Sequence, residues 1–576
     1  MEKVIVRREV AGAGVGLQSL HPLLQRIYAA REISEMGQIS RELKDLIPFH
    51  SLMGIDAASE LLAEAVSQDK RILIIGDFDV DGATSTAVAV TALNAMGAKH
   101  VDYLVPNRFT YGYGLTPEIV NVAKMMSPDL IVTVDNGISS HAGVDRANSL
   151  GIDVLVTDHH LAGESLPNAK AIVNPNQPSD AFPSKCMAGV GVIFYVMLAL
   201  RAYLLAKGWF EKQGIDCPNM AQFLDLVALG TVADVVPLDK NNRILVYQGL
   251  RRIQQGKGRV GIKALMQVAG REETKLEAAD FGFALGPRLN AAGRLDDMAE
   301  GIACLLAKSL QEALPKAQQL DDLNKERKVI EQQMREEAFA ALGSLKFGKS
   351  VPVGVCLYQE DWHQGVVGLV ASRVKEKLNR PVIAFAKADE SMLKGSARSV
   401  MGLHIRDVLQ NINAKHPDLI DKFGGHAMAA GLSIAAENYE RFSRAFAAEV
   451  GLCVSEGDLK GKIDSDGELA SDEFSLEIAE MLKGAGPWGQ GFLEPLFDGV
   501  FQVVDQRLVG GSHLKLTLKN LGFHILIEAI AFNIETDKWP NYHCEQVKIA
   551  YRLDINEYNN RRRLQLIIED LQPVAV

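Results

Sequence analysis

Residues 71–87 read RILIIGDFDVDGATSTA, and this stretch decides the fold. A short apolar run (71–75) meets Gly76, and Asp77, Asp79 and Asp81 then occupy alternate positions. A brief apolar run bounded by glycine reads as a buried strand, and the small residues after Gly82 read as a helix. Similar runs recur at 101–105, 130–134 and 154–156, separated by helix-like segments at 82–96, 116–126 and 140–150. Thr116-Pro117-Glu118 is a helix start, with a capping hydroxyl, a first-position proline and an acid in the first turn. Strands alternating with helices predict an α/β fold: a parallel sheet with helices on both faces.

Each run ends in polar residues: Asp77-Phe78-Asp79, Asn107-Arg108, Asp135-Asn136 and Asp158-His159-His160. Open α/β sheets bind ligands beyond the carboxyl ends of their strands, so the four clusters are expected on one edge. If the chain stays extended past Gly76, alternate residues share a face and three carboxylates point the same way. Such crowding repels unless a cation neutralises it. Asp234, in Gly230-Thr231-Val232-Ala233-Asp234 at a break between two helices, completes the set.

Oxygen-rich sites with some imidazole and no thiolate suit Mn2+ or Mg2+ better than structural zinc. The candidates suffice for two divalent ions sharing a carboxylate, and Asp135, alone on its strand, is expected to bridge. Two such ions would clamp the attacking and leaving oxygens of a phosphoester displacement. Singly, Asp77 reads as a helix cap and His159 as an ordinary core histidine. Their joint placement at successive strand ends argues for a site.

At 576 residues the chain is expected to form three or four domains. Its 47% hydrophobic and 23% charged residues exclude extensive disorder. A net charge of −11 is weak evidence against a nucleic-acid ligand, because an acidic exterior can coexist with a basic groove. The cysteines (186, 217, 304, 356, 453, 544) show no metal-pair spacing and read as reduced thiols of a cytoplasmic protein. MEKVIVRREV lacks the apolar segment of a signal peptide. The longest apolar run, 190–200, reads as a buried helix, so no membrane association is expected.

Residues 1–50 read as an N-terminal arm and 51–310 as the catalytic α/β domain with a helical extension. Residues 311–345 read as a solvated, charge-rich connecting helix, with 316–341 as its clearest part. A second α/β domain (346–452) carries glycine-rich turns at Gly395 and Gly424-Gly425. Residues 453–576 are strand-rich: 514–519 alternate with period two, and runs at 551–555 and 564–568 flank an Asn559-Asn560 turn, which predicts a small β-barrel.

Asp77-Phe78-Asp79-Val80-Asp81-Gly82, Val134-Asp135-Asn136-Gly137, Asp158-His159-His160 and Gly230-Thr231-Val232-Ala233-Asp234 resemble the four motifs of the DHH phosphoesterase superfamily. Pro106-Asn107-Arg108 with Tyr111-Gly112-Tyr113-Gly114, the stretch GPRLNAAGR at 286–294, WHQGVVG at 362–368, GSARS at 395–399 and Gly424-Gly425-His426 narrow the resemblance to its RecJ branch, from about residue 70 to the end. Many small-substrate DHH enzymes open the first motif with histidine, and Asp77 departs from them.

The resemblance implies a DHH domain, a DHHA1-type domain joined by the long helix, and an oligonucleotide-binding (OB-like) barrel. It implies metal ligation by Asp77, Asp79, Asp81, Asp135, His159 and Asp234, with His160 beside the scissile phosphate; Asp79, Asp135 and His160 form the catalytic group. Substrate contacts are expected from Arg108, Arg288, Asn290, Arg373, Arg398 and His426, with Arg294 a further candidate, because guanidinium forks suit phosphate. His363 reads equally well as a core histidine. Lys515, Lys519 and Arg561-Arg562-Arg563 would track a nucleic-acid backbone or line a solvated hairpin.

The implied activity is 5′→3′ hydrolysis of single-stranded DNA to 5′-mononucleotides in repair and recombination, with a helicase and a single-strand-binding protein as partners. The rivals are a phosphodiesterase of short oligonucleotides or cyclic dinucleotides, and a non-catalytic scaffold. The chain's length opposes the first and its intact motifs the second.

Overall fold

The computed structural model describes residues 3–9, 16–107, 111, 113–344, 352–454, 459, 461–522, 525–558 and 561–574. The chain begins with β1 (Val4–Arg7) and a helix, Pro22–Ala29, whose Leu23, Leu24, Ile27 and Tyr28 are buried.

The first sheet is wholly parallel, with strands β2 (Ile72–Gly76), β3 (Val101–Leu104), β4 (Leu130–Val134), β5 (Asp153–Thr157) and β6 (Ala171–Val173) in the order β3-β2-β4-β5-β6. β2 and β4 are buried at every position, as a central parallel strand must be when helices cover both faces. Strand order reverses between β2 and β4, which opens a crevice at their carboxyl ends. The helix Val80–Ala95 is buried nearly all round, because its small residues admit close approach of Gly189–Ala206 and Leu224–Ala233 in one core. Gly189–Ala206 is the one described helix long and apolar enough to cross a membrane; 67% of it is buried inside the protein, as the sequence predicts for 190–200.

The connecting helix runs Leu310–Ser344 and corrects one expectation: it is not solvated all round. Ala313, Ala317, Leu320, Asp321, Asn324, Arg327, Glu331, Met334 and Ala338 form a buried stripe at helical spacing. Several of these positions are polar and pair with one another or with neighbours, such as Arg327 with Glu331 at 2.6 Å. A charged stripe that is internally neutralised looks solvated in the sequence.

The second sheet comprises β7 (Val355–Tyr358), β8 (Val382–Lys387), β9 (Met392–Arg398), β10 (Lys422–Gly425) and β11 (Ala429–Ala435), in the order β10-β11-β9-β8-β7. Gly395 lies inside β9 and not in a turn, because a β-carbon there would come within 2.5 Å of the Phe385 ring. Gly424 and Gly425 likewise belong to β10.

β12 (Lys462–Ser465) pairs in parallel with β1, which ties the N-terminal arm to the last domain. There β13 (Phe497–Val509), β14 (His513–Asn520), β15 (Leu526–Ala531), β16 (Gln546–Tyr558) and β17 (Arg561–Val574) close a barrel in the order β13-β14-β15-β17-β16. Arm residues Leu17, Leu23, Ile27 and Tyr28 share its core cluster. The expected Asn559-Asn560 turn lies outside the described residues.

Candidate metal centre

β2 ends at Gly76, and the chain turns at once instead of staying extended. The three aspartates therefore do not share a strand face. Asp79 caps the helix Val80–Ala95 by accepting the Gly82 N–H at 3.1 Å, and Asp81 lies in the first turn. Gly82 is needed because a β-carbon would sit 2.4 Å from the Asp77 carbonyl oxygen. The turn brings the carboxylates together by a route that a period-two reading misses.

Asp135 follows β4 with φ +61°, a left-handed conformation rare outside glycine. His159 follows β5, and Asp234 is the C-cap of Leu224–Ala233. His159 Nε2 lies 3.1 Å from Asp135 Oδ1, 3.6 Å from Asp234 Oδ2 and 3.8 Å from Asp81 Oδ2. Three sets of donor atoms fall within 4.8 Å of one another: Asp135, His159 and His160; Asp81, His159 and Asp234; Asp77, Asp79 and Asp135. Asp135 and His159 each belong to two sets.

The electrostatics point the same way. Burial first, then the charge of Asp79, pushes Asp81 up to about 7. Burial and neighbouring carboxylates hold Asp135 and Asp234 well above the usual carboxylate range. Burial, with the adjacent His160, lowers His159 to about 4 and keeps it a neutral, ligand-competent imidazole. Asp135 Oδ1, His159 Nε2 and Asp234 Oδ2 are buried and lack a hydrogen-bond partner among the described residues. Buried polar atoms are almost always paired, so three converging unpaired donor atoms fit a divalent cation.

Asp158 turns away from this cluster. Its Oδ1 accepts the N–H groups of His159 and His160 and meets His160 Nδ1 at 2.8 Å, while Oδ2 accepts the Ile138 N–H. For His160, burial opposes the charged form, but the Asp158 hydrogen bond and nearby carboxylates outweigh it and raise the imidazole to about 9. The Tyr113 hydroxyl lies 3.2 Å from His160 Nδ1. The His426 ring of the second domain stacks on His160 at 5.8 Å.

The remaining sequence candidates divide. Asn290 Oδ1 accepts the Val80 N–H at 3.2 Å, so it supports the first aspartate turn. Arg398 is half-buried, its Nη1 donates to Ser396 and to the Ala397 carbonyl, and no ion pair to it appears among the described residues. The guanidinium of Arg288 instead pairs with Asp321 at 2.8 Å, and that of Arg373 with Glu331 and Glu376. Arg294 donates to the Gly365 carbonyl, where the two domains meet. His363 Nδ1 accepts the Gly365 N–H. Lys515, Arg562 and Arg563 all have carboxylate neighbours, and Arg108 lies outside the described residues.

Sequence reading missed Gly189. Its N–H and that of Val190 donate to the two Asp81 oxygens, and a β-carbon on it would lie 2.7 Å from the Asp135 Cβ. The only signal in the sequence is the pair of glycines, Gly189 and Gly191, opening an apolar helix.

Comparison with known proteins agrees with this architecture. Residues 71–231 match the DHH family N-terminal domain, 349–451 the DHHA1 domain and 465–570 the RecJ OB domain. The chain is 53% identical over 574 residues to the single-stranded-DNA-specific exonuclease RecJ of Salmonella typhimurium, covering 100% of both chains. Identity to the protein of that name from Escherichia coli is 52% over 569 residues, covering 99% of both. The crystal structure of Thermus thermophilus RecJ in complex with Mn2+ superposes with a TM-score of 0.81 at 28% identity, covering 100% of this chain and 80% of that one. A parallel-sheet DHH domain, a DHHA1 domain and a closed C-terminal barrel thus occur in one chain, and the chain belongs to the RecJ family of DHH proteins.

Proposed function

We propose that this protein is a metal-dependent, single-strand-specific exodeoxyribonuclease that removes 5′-mononucleotides in the 5′→3′ direction during DNA repair and recombination in the cytoplasm. The observation that carries the reading is the convergence of Asp135, His159 and Asp234 through buried donor atoms that have no hydrogen-bond partner among the described residues.

Asp77, Asp79, Asp81, Asp135, His159 and Asp234 would hold two divalent ions, Mn2+ or Mg2+, with Asp135 shared between them. Such ions supply Lewis acidity and a nucleophile at neutral pH for phosphodiester displacement. The protein's own residues orient the strand. His160, fixed by Asp158 and flanked by Tyr113, donates a hydrogen bond to a phosphate oxygen. Arg398 and Ser396 receive the 5′-side phosphate, since a half-buried guanidinium favours an anionic partner. The contacts of Tyr113 and His426 with His160 bring the two catalytic domains together beside the centre. On this reading single-stranded DNA is the substrate, and a helicase and a single-strand-binding protein are its partners.

The test is hydrolysis of 5′-labelled single-stranded and duplex DNA with Mn2+ or Mg2+, with and without chelator. Release of mononucleotides from the single strand alone, abolished by chelation and by Asp135→Ala, is expected. Activity confined to dinucleotides would shift the reading to a short-oligonucleotide phosphodiesterase. No hydrolysis with either metal would overturn it.

A further inference from the structure

Phe283 is the most exposed large apolar side chain among the described residues, at 86%. It belongs to a short π-helical turn, Phe281–Leu285, directly before the helix Gly286–Leu295. Such turns are rare, and they recur at functional sites because they displace a side chain from the regular helical position. The surrounding residues of the turn are well anchored: Phe281, Ala284 and Leu285 are buried. The exposure of Phe283 is therefore specific to that side chain and does not reflect a loose segment.

The turn is fixed against the metal centre at two places. Beta-carbons on Gly282 and Gly286 would lie 3.8 Å from Val232 Cγ1 and 3.4 Å from Ala233 Cβ, so the π-turn rests on the residues immediately before Asp234. One helical turn beyond Gly286, Asn290 bonds to Val80 in the first aspartate turn. Val235, which follows Asp234, is 61% exposed and has φ +61°, a conformation unfavourable for a β-branched residue. The chain thus exposes one apolar side chain directly after Asp234, with backbone strain at that residue, and another on the turn packed against the residues before it.

We infer that Phe283, on the turn packed against the residues before Asp234, is a stacking platform for a base of the single strand lying near the metal centre. The inference rests on the exonuclease reading and deepens it. Proteins that hold single strands without sequence preference place aromatic rings against successive bases, because every base has a π-face. The flat, rigid ring of phenylalanine provides that surface whatever the base.

The test measures binding of 5′-phosphorylated oligothymidylate by anisotropy in calcium buffer, using a strand of roughly 20 nucleotides and a trinucleotide. The wild type is first checked for manganese-dependent degradation of the long strand. Phe283→Ala is expected to weaken the long strand about 5- to 100-fold and the trinucleotide less. Phe283→Trp is expected to restore binding, and Phe283→Leu is not. Equal binding of the long strand by Phe283→Ala and the wild type would overturn the inference and leave Phe283 to a protein partner. Full restoration by Phe283→Leu would also overturn it, since apolarity without a π-face would then suffice. Failure of the wild type to degrade the strand would instead sink the exonuclease reading itself.

Discussion

The carboxylate of Asp81 is seated on the N-terminus of the helix that begins at Gly189: Oδ2 accepts the Gly189 N–H at 2.6 Å, and Oδ1 accepts the Val190 N–H at 2.8 Å. The helix N-terminus carries positive partial charge and so stabilises the carboxylate in a cluster where neighbouring acids oppose ionisation. The same glycine approaches Asp135 so closely that no side chain fits between them.

Gly189→Ala is therefore expected to shift both carboxylates. A displacement of about 1 Å at reacting groups lowers turnover on the order of 100-fold, and overpacking destabilises by about 1–3 kcal/mol. Steady-state hydrolysis of single-stranded DNA, with thermal unfolding beside it, reads both quantities. Turnover within twofold of the wild type would show that the contact has no consequence.

Asn290→Ala removes the acceptor of the Val80 N–H. Loss of such outer support typically weakens metal affinity about 10- to 100-fold. The single lost hydrogen bond changes stability by only about 1 kcal/mol. Calorimetric Mn2+ titration is expected to show the first effect, and urea unfolding the second. Unchanged metal affinity would assign Asn290 to another role.

Chelator-treated protein is expected to lose stability as pH rises. Burial and Asp79 raise Asp81 from the ordinary aspartate value of 3.8 to about 7 in the folded chain. Between these values the folded state holds a proton that the unfolded chain has released, so stability declines as pH climbs through that window. Asp135 and Asp234 are shifted in the same direction. Melting temperature measured from about pH 5 to about pH 8 should fall without metal, and added Mn2+ should flatten the trend. A flat metal-free profile would contradict the burial and mutual repulsion that raise these carboxylates.

Glu331 of the connecting helix pairs with Arg327, one turn earlier on the same helix, at 2.6 Å and with Arg373 of the second domain at 3.2 Å. Glu331→Ala leaves the buried Arg327 without its carboxylate and is expected to destabilise by roughly 3 kcal/mol. Replacing Arg327 and Glu331 together by methionine should recover most of that loss, because no uncompensated charge remains. Chemical unfolding of the two variants decides the matter.

The sequence was most legible where a pattern is local. Apolar runs bounded by glycine and polar residues located β2 to β5 to within a residue or so at each end, because a buried parallel strand is a short continuous signal. The strand-end aspartates and histidines were visible for the same reason. Local pattern misled at Asp77 to Asp81, where a helix cap imitates strand alternation, and at Gly395, where a glycine inside a strand makes room for a ring.

By itself the sequence determined which chemical groups the protein has and which strand ends they follow, since both are properties of neighbouring residues. Only the tertiary structure decided which of those groups meet. It faced Asp81 and Asp135 with the backbone of Gly189, turned Asp158 away from the cluster, directed Arg288 and Arg373 toward the connecting helix, and left Phe283 exposed. Such relations depend on close packing between segments far apart in the chain, and backbone amides and absent β-carbons leave little trace in a list of side chains.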